Sequence, residues 1–276
     1  MEADFREALK EKQFALYFQP QLDCGRLVGV EALIRWRHPR RGLLGPSAFI
    51  TLAEETGLIR PMGDWVLESA CRQISAWRKQ DRTADLSIAV NISARQLREA
   101  DFVNHVLAVV DRTGANPANL KLELTESMLV DNIESVVCKM AEVKSNGIGL
   151  SLDDFGTGYS SLSYLKRLPL DQLKIDRSFV RDIVEDLGSR AIAQSVISLS
   201  QAMNLSVIAE GVETEEQLDC LTGLGCHAFQ GFLFGPPLPL EEFELLLPVF
   251  SELIARFPAQ GTQQVVDRTR DHQPVG

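Results

Sequence analysis

The sequence predicts an α/β fold, a TIM-like (β/α)8 barrel whose first strand runs antiparallel to the second. Short apolar runs alternate with longer segments of helical periodicity, which implies parallel strands joined by helical crossovers. About eight strand-like runs in a chain of 276 residues favour a closed barrel over an open sheet. Only the few residues around DCGR separate the first two runs, too few for a helix, so this pair is predicted to form a hairpin.

The predicted strands and helices follow one another regularly along the chain. The strands are ALYFQP, VGVEALIRW, LSIAVN, LKLELTE, IGLSLDD, QLKID, LSVIAE and HAFQGF. The helix after the second strand is predicted from an apolar face that comprises Val66, Leu67, Ala70, Cys71, Ile74 and Trp77. Gly147 is placed to cap a later helix, whose apolar face comprises Val136, Val137, Met140 and Val143.

Helix starts and the end of the domain are also marked in the sequence. Two pairs have the spacing of capping boxes and predict helix N-termini, namely Ser93 with Gln96 and Thr214 with Gln217. The stretch LEEFELLLPVFSELIARF predicts a final helix that closes the core. We therefore expect one barrel domain over residues 1–256, followed by a polar C-terminal tail over residues 257–276.

Composition limits the class of protein and its partners. A net charge of -10 argues against a broad surface for a nucleic acid polymer, because such surfaces are usually basic. No apolar run approaches the roughly 20 residues that span a bilayer, and the polar N-terminus argues against a secretory signal. Five cysteines without a CxxC pair fit a reducing compartment. We expect a cytoplasmic protein, or the cytoplasmic domain of a larger membrane-bound sensor.

The tripeptide E-A-L occurs twice, and the two copies have different surroundings. Glu7 lies in a stretch rich in charged residues, which is typical of a solvated helical face. Glu31 lies in a run of period two, on the strand face opposite to that of Val30, Ala32 and Trp36. If that apolar face packs under the helices, Glu31 faces the barrel interior. A buried glutamate is costly unless it is paired or bound to a metal, so this second copy indicates a functional site.

Almost every predicted strand carries a polar side chain at or near its carboxyl end, where the active site of a barrel lies. These residues are Asn91, Glu123, Asp153, Asp154, Lys174, Glu210 and Gln230. Each has an ordinary structural alternative: one Asp at a strand end is usually a turn or cap residue, and Lys174 with Asp176 is compatible with a surface ion pair. Their convergence on one barrel mouth favours a functional site.

The acidic residues at these strand ends indicate a metal centre. Together with Glu31, they bring five carboxylates beside the two cations Lys174 and Arg35. Like charges so close do not all stay ionised without compensation. Carboxylates combined with an asparagine suit Mg²⁺ or Mn²⁺ rather than zinc. Two such ions bridged by one aspartate suit the hydrolysis of a phosphodiester, with a structural charge cluster as the alternative.

Seven motifs in order make the chain resemble the EAL domain family of cyclic di-GMP-specific phosphodiesterases. The matching segments are YFQPQ, EALIRWRHP, VNIS, ELTES, DDFGTGYSSLSYLKRLPLDQLKIDRSFV, IAEGVET and QGFLFGPPLP. They extend from about Leu16 to Leu240. The resemblance implies a TIM-like barrel with an antiparallel first strand. It also implies hydrolysis of cyclic di-GMP to linear 5′-pGpG by metal-activated water, which lowers the level of this second messenger in bacterial signalling.

The resemblance also assigns a metal centre and catalytic residues. It implies two Mg²⁺ or Mn²⁺ ions, with Asp153 as the bridge, and six ligands, which are Glu31, Asn91, Glu123, Asp153, Asp154 and Glu210. Lys174 resembles the lysine that orients the attacking water or stabilises charge on it. Glu210 is a ligand or the general base, and the sequence leaves both roles open. Glu31 joins these two as a residue on which catalysis depends.

Further residues resemble those that bind substrate or support the metal site. Gln19 and Arg35 match substrate contacts, and Arg35 would bind a phosphate through charge-assisted hydrogen bonds. Gln230 would hold the water shell of the second metal at the substrate site. Glu126 matches the glutamate that anchors the loop after DDFGTGYSS, and Glu213 matches a residue just outside the ligands.

The implied partners are cyclic di-GMP, a second copy of the chain in a homodimer, and upstream sensor or GGDEF domains in a longer protein. Two other functions remain as alternatives. The first is a receptor or scaffold that binds cyclic di-GMP with little or no cleavage, as in relatives that lack ligands. The second is an unrelated barrel lyase or racemase with one Mg²⁺. Such an enzyme usually needs a Lys or His pair at opposed strand ends, whereas only Lys174 is available here.

Overall fold

The computed structural model describes residues 2–129, 133–156 and 162–253. Within these residues the strands are, in chain order, β1 (Phe14–Asp23), β2 (Arg26–His38), β3 (Gly42–Leu44), β4 (Ser87–Asn91), β5 (Leu120–Thr125), β6 (Gly149–Phe155), β7 (Gln172–Ile175), β8 (Ser206–Ala209), β9 (Ala228–Gln230) and β10 (Leu238–Pro239). Short 3₁₀ turns occur at Pro46–Ala48, Pro117–Asn119 and Glu126–Leu129.

The helices mostly lie between consecutive strands, as a parallel barrel requires. They are α1 (Glu2–Lys10), α2 (Ile50–Thr56), α3 (Ile59–Trp77), α4 (Ala94–Arg98), α5 (Phe102–Thr113), α6 (Ile133–Ser145), α7 (Leu162–Leu165), α8 (Arg177–Arg181), α9 (Leu187–Ala202), α10 (Glu215–Gly223) and α11 (Leu240–Leu253). The predicted alternation of strand and helix is therefore confirmed.

Eight of the strands form a closed barrel. Strands β2, β4, β5, β6, β7, β8 and β9 pair in parallel in that order. β1 closes the ring because it pairs antiparallel with β2 on one side and with β9 on the other. β3 and β10 are short antiparallel additions to β2 and β1. The predicted TIM-like barrel with an antiparallel first strand is confirmed.

The reversal between β1 and β2 is a two-residue hairpin at Cys24 and Gly25. Both residues have positive φ, 49° and 75°, which is the backbone that matches the right-handed twist of the two strands. Asp23 and Arg26 pair directly across the turn. The turn leaves no room for a crossover helix, so β1 must run against the other barrel strands.

The core lies between the outer face of the barrel and the helices. The face of β2 that carries Val30, Ala32, Ile34 and Trp36 is buried, as its period-two pattern predicts. Trp36 packs against Phe5 of α1 at a centroid distance of 5.4 Å. The opposite face points into the lumen, so Glu31 does face the barrel interior.

Local sequence signals for the helices are also confirmed. Ser93 and Thr214 accept hydrogen bonds from the backbone of Gln96 and Gln217, whose side chains in turn cap the N-terminal residues. Gly147, at φ 84°, follows the end of α6. The predicted apolar face of α3 is buried throughout. On α6, the predicted face is buried apart from Val137, which is half-buried.

The C-terminal helix closes the core where the sequence predicts it. Phe243 and Phe250 of α11 are buried, and Phe243 packs against Phe18 and Trp77. The predicted tail, residues 257–276, lies outside the described residues, so the boundary at residue 256 stays a prediction. No helix in the described part of the chain combines the length and apolar character that a membrane crossing requires.

Candidate active site

Lys174 stands at the centre of the candidate site. Its side chain is fully buried, and its Nζ lies 2.7 Å from Glu123 Oε2, 3.4 Å from Asp153 Oδ2 and 3.6 Å from Glu31 Oε2. It also forms an ion pair with Glu210. These residues lie on four different strands, β2, β5, β6 and β7, and at the position directly after β8. The barrel therefore brings together side chains that are up to 179 positions apart in the sequence, from Glu31 to Glu210.

The cluster holds more negative than positive charge. Four carboxylates face one ammonium, so full ionisation leaves three uncompensated negative charges (four minus one) in a buried space. Burial alone would lower the pKa of Lys174, but the carboxylates, Glu123 and Glu210 most strongly, hold its pKa well above the ordinary value. The lysine thus stays charged, and the excess of negative charge destabilises the ionised form of the carboxylates around it.

Two of those partners respond by retaining a proton more strongly. Burial, with the neighbouring charges of Glu31 and Asp153, raises the pKa of Glu123 to about 8 despite the attraction of Lys174. Burial also raises the pKa of Glu210 well above its ordinary value, and the negative charge of Asp153 adds to this effect. A site that raises carboxyl pKa values in this way is suited to bind cations or to accept a proton during catalysis.

Glu31 is held by hydrogen bonds on both of its oxygens. Asn91 Nδ2 donates to Oε1 at 2.6 Å, and Gln230 Nε2 donates to Oε2 at 2.5 Å. Burial alone would raise the pKa of Glu31, but Lys174 and the two amide donors hold its pKa below the ordinary value. The surroundings of Glu31 therefore favour its ionised form.

Gln230 belongs to a chain of buried glutamine amides that the sequence did not single out. Its Nε2 donates to Gln19 Oε1 at 3.0 Å, and its Oε1 accepts from Gln21 Nε2 at 2.8 Å. Gln19 Nε2 donates to the carbonyl oxygen of Gly235 at 3.2 Å. Gln21 is the last residue of the YFQPQ segment, but the resemblance assigned it no role. Its position two residues after Gln19 on β1 places it on the same inner face, and that periodicity could have revealed it.

The pair Asp153 and Asp154 lies where β6 becomes irregular. The pairing of β6 with β7 shifts register between Leu152 and Phe155, and Asp154 has a positive φ of 54°. Asp153 points into the cluster, while burial and the neighbouring Asp153 and Asp176 raise the pKa of Asp154 to about 6. Asp176 was interpreted only as a surface partner of Lys174. Asp176 lies two residues after Lys174, and this spacing was the sequence signal that could have predicted its position beside Asp154.

The remaining predicted residues surround this cluster at different depths. The half-buried Arg35 places its guanidinium 5.7 Å from the ring centroid of Tyr17, one strand away. Burial lowers the pKa of Arg35, although Tyr17 and Glu31 oppose this. Glu126 Oε2 accepts a hydrogen bond of 3.1 Å from the N–H of Gly156, where the predicted loop begins. Residues 157–161 of that loop lie outside the described residues.

Glu213 is the residue before the N-cap of α10. Its side chain is exposed, and its backbone N–H donates to Gln217 Oε1 at 2.7 Å in the cap of α10. The structure therefore shows a backbone contact for Glu213 and a solvated carboxylate. Its predicted place just outside the ligands stays a prediction.

The donor set suits a hard divalent cation. Glu123 Oε1 is buried and has no hydrogen-bond partner, which is costly for an acceptor unless a cation binds it. Carboxylates with the amide oxygen of Asn91 are the ligands that Mg²⁺ and Mn²⁺ prefer. Across residues 2–129, 133–156 and 162–253, no three acidic, His or Cys side chains already stand in a coordinating arrangement. The ammonium of Lys174 lies between the carboxylates instead.

Comparison with known proteins decides the family. A family model described as the EAL domain matches residues 2–237, which is most of the chain. The chain belongs to the EAL domain family. Both E-A-L copies lie within the matched range: Glu31 belongs to the buried hydrogen-bond network, whereas Glu7 of the first copy is exposed on α1.

Relatives in this family are similar over the whole barrel. The bifunctional diguanylate cyclase/cyclic di-GMP phosphodiesterase MucR of Pseudomonas aeruginosa is 46% identical over 241 residues, which are 87% of this chain and 35% of MucR. Cyclic di-GMP phosphodiesterase NbdA of the same organism is 44% identical over 252 residues, 91% of this chain and 32% of NbdA. The chain therefore spans about a third of the length of these curated relatives.

Solved structures of EAL domains share the fold. A structure described as the PaMucR phosphodiesterase in a c-di-GMP complex is 45% identical and superposes with a TM-score of 0.85. The match covers 87% of this chain and 98% of that chain. At this identity the barrel and the arrangement of its strand ends are expected to correspond closely.

Proposed function

We propose that this chain is a metal-dependent phosphodiesterase that hydrolyses cyclic di-GMP to linear 5′-pGpG. The observation that carries the proposal is the buried cluster of four carboxylates around Lys174 at the carboxyl ends of the barrel strands. Its support is the membership of the EAL family, in which relatives at 44–46% identity are named cyclic di-GMP phosphodiesterases. Because those relatives are about three times longer, the activity is proposed for a domain that works beside others.

Mg²⁺ or Mn²⁺ ions would be held by the oxygens of the cluster. The proposed ligands are Glu31, Asn91, Glu123, Asp153, Asp154 and Glu210. When bound, two such ions would supply a water of lowered pKa and neutralise charge on the phosphodiester. The unpartnered Glu123 Oε1 and the surplus of negative charge support this assignment.

The chain's own residues would orient the reactants and carry the proton. Lys174, charged and buried, is placed to stabilise negative charge on the attacking oxygen. The alternative to a ligand role for Glu210, whose pKa is raised well above the ordinary value, is that of a general base that would take a proton from that water once the carboxyl group is ionised. Arg35 on β2 and Gln19 on β1 lie on the same barrel face as Glu31. Both would contact the substrate, Arg35 through a phosphate.

A product assay tests the proposal with a control that the sequence itself offers. The purified chain is incubated with cyclic di-GMP in Mg²⁺, in Mn²⁺ and in EDTA, and the nucleotides are separated by chromatography. We expect pGpG in the presence of metal and none in EDTA. Glu31→Ala should abolish product, whereas Glu7→Ala in the first E-A-L copy should leave the rate unchanged, because Glu7 is exposed.

Binding of cyclic di-GMP without formation of pGpG in either metal would overturn the proposal and favour a receptor. Full activity of the folded Glu31→Ala variant would remove the proposed metal site. Equal loss of activity in Glu7→Ala would show that the assay reports folding rather than chemistry, and circular dichroism of both variants distinguishes these cases.

A further inference from the structure

Three glutamine amides and one carboxylate form a continuous hydrogen-bonded chain beside the cluster. All four side chains are at least nine-tenths buried: Gln19, Gln21, Gln230 and Glu31. The bonds run from Gln21 Nε2 to Gln230 Oε1 at 2.8 Å, and from Gln230 Nε2 to Gln19 Oε1 at 3.0 Å and to Glu31 Oε2 at 2.5 Å. Strand register supports the chain, because Gln21 is the cross-strand partner of Gln230 and Gln19 that of Glu31.

The orientation of the central amide follows from its neighbours. The carbonyl oxygen of Gly235 only accepts, so Gln19 must turn its Nε2 towards Gly235 and its Oε1 towards Gln230. The carboxylate of Glu31 also only accepts when it is ionised. Both acceptors therefore require the Nε2 of Gln230, which leaves Gln230 Oε1 facing Gln21. A buried carbonyl oxygen needs a donor, and Gln21 Nε2 supplies it.

We propose that Gln21 is a positioning residue for the reaction: its amide donates to Gln230 Oε1 and so stabilises the orientation, required by Gln19 and Glu31, in which Gln230 donates to both. The proposal rests on the proposed function for its catalytic consequence, while the amide order itself does not depend on it. If the Gln230 amide turned over, its oxygen would face the carboxylate of Glu31 and repel it. Glu31 would then lose the donor that holds one of its two oxygens, and the catalytic geometry would loosen.

Two substitutions at Gln21 distinguish removal of the hydrogen-bond donor from its replacement by an acceptor. Gln21→Met keeps the length of the side chain but removes the donor. Gln21→Glu keeps the shape and presents only acceptor oxygens when ionised, which favours the reversed Gln230 amide. The matched control is Gln13→Met, since Gln13 Oε1 accepts a partly buried hydrogen bond of 3.0 Å from Trp36 Nε1 and lies outside the network of Gln19, Gln21 and Gln230. Gln230→Met supplies the background in which Gln21 has no amide left to orient.

The first measurement needs no substrate. In ¹⁵N–¹H spectra of the folded proteins, the side-chain amide signals of Gln230 are identified by their loss in Gln230→Met. We expect these signals to shift or broaden in Gln21→Met and Gln21→Glu and to stay in place in Gln13→Met. Unchanged Gln230 signals in both Gln21 variants would overturn the inference.

The second measurement links the amide order to turnover. We expect kcat to fall about 10- to 100-fold in Gln21→Glu, with a smaller change in KM, because Gln21 acts through Gln230 rather than on substrate. In the Gln230→Met background, Gln21→Met should lower kcat by less than about twofold, since its effect requires the amide. Independent, additive losses would overturn the positioning role. A wild-type chain without turnover would defeat the proposed function, and the spectra alone would then decide the amide order.

Discussion

At the scale of single residues, the chemistry of the site depends on one buried lysine that forms ion pairs with several carboxylates. Lys174 is fully buried and faces four carboxylates, with Glu123 Oε2 at 2.7 Å. Removal of one partner of a buried ion pair leaves the other charge without compensation, which is more costly than the pair is worth. We therefore expect the lysine to be needed both for the stability of the carboxylate cluster and for the proposed chemistry.

Substitution Lys174→Met should remove turnover and destabilise the metal-free domain. We expect at least about a 100-fold loss of kcat and a decrease of about 3 to 5 kcal/mol in the free energy of unfolding in EDTA. Mg²⁺ should restore part of that stability, because cations would compensate the carboxylates. Product assays and urea unfolding measure these effects.

The control for Lys174 is a lysine in an exposed pair. Lys144, which is more than a third exposed and pairs with Asp171, should change the free energy of unfolding by less than about 1 kcal/mol when replaced by Met. Its replacement should leave turnover unchanged. A Lys174→Met variant as stable in EDTA as Lys144→Met would contradict the account of the cluster.

The raised pKa of Glu123 predicts a pH dependence of stability. Its pKa of about 8 in the folded state lies above its ordinary value of 4.5, so between these values the folded chain keeps a proton that the unfolded chain has released. Stability therefore falls as pH rises. We expect a lower urea midpoint at about pH 8 than at about pH 5 in EDTA. Mg²⁺ should reduce the difference, because it binds the ionised carboxylates.

Glu123→Gln tests the origin of this slope. The amide cannot titrate, so the difference between the two midpoints should become smaller than in the wild-type chain. A midpoint that rises with pH in EDTA would show that the cluster is compensated in some other way.

At the scale of elements, the end of β9 and the segment after β8 are joined by backbone contacts. Val212 donates its N–H to the carbonyl oxygen of Gln230 at 3.1 Å, and its own carbonyl oxygen accepts from Leu233 at 3.0 Å. Gly231 lies inside this junction. The contacts hold Glu210 and Gln230 close to the same mouth of the barrel.

Gly231→Ala should disturb this junction. A Cβ on Gly231 would come within 2.1 Å of the Val212 carbonyl oxygen, so the backbone must move. We expect a loss of about 1 to 3 kcal/mol in the free energy of unfolding and a lower kcat, because Gln230 is displaced. The control is Gly223→Ala at the end of α10, where nothing lies within 4 Å of the added Cβ. Urea unfolding and product assays that found the two variants alike would contradict the prediction.

At the scale of the whole molecule, the N-terminal helix is part of the barrel core. Phe5 of α1 is fully buried and lies within 5.2 to 6.0 Å, between ring centroids, of Phe14, Trp36 and Phe49. These partners come from both strands of the antiparallel hairpin and from the residue before α2. Helix α1 therefore packs against the β1–β2 hairpin, through which the antiparallel first strand joins the barrel.

Phe5→Ala should weaken the whole domain. We expect a loss of about 3 to 5 kcal/mol, because a large buried ring is removed from a closely packed cluster. Glu7→Ala, on the exposed face of the same helix, should change stability by less than about 0.5 kcal/mol. Urea unfolding monitored by Trp fluorescence measures both. Equal stability of the two variants would show that α1 contributes little to the core.

The sequence predicted the elements better than the contacts between them. The DCGR turn, the capping residues Ser93 and Thr214, and the inward face of Glu31 follow from local rules, and the structure confirms them. Gln21 and Asp176 escaped because their partners are not neighbours in the chain. For Gln21, the partner is 209 positions away.

What the sequence determined by itself is the order of strands and helices, the antiparallel start of the barrel, and the placement of acidic side chains at strand ends. These depend on the side-chain period of a strand, on turn geometry and on capping, all of which act within a few residues. Only the tertiary structure decided that Lys174 stands among four carboxylates and that Gln21 donates a hydrogen bond to Gln230. The physical reason is that both depend on closure of the barrel, which brings β1 beside β9 and sets the distances across the lumen.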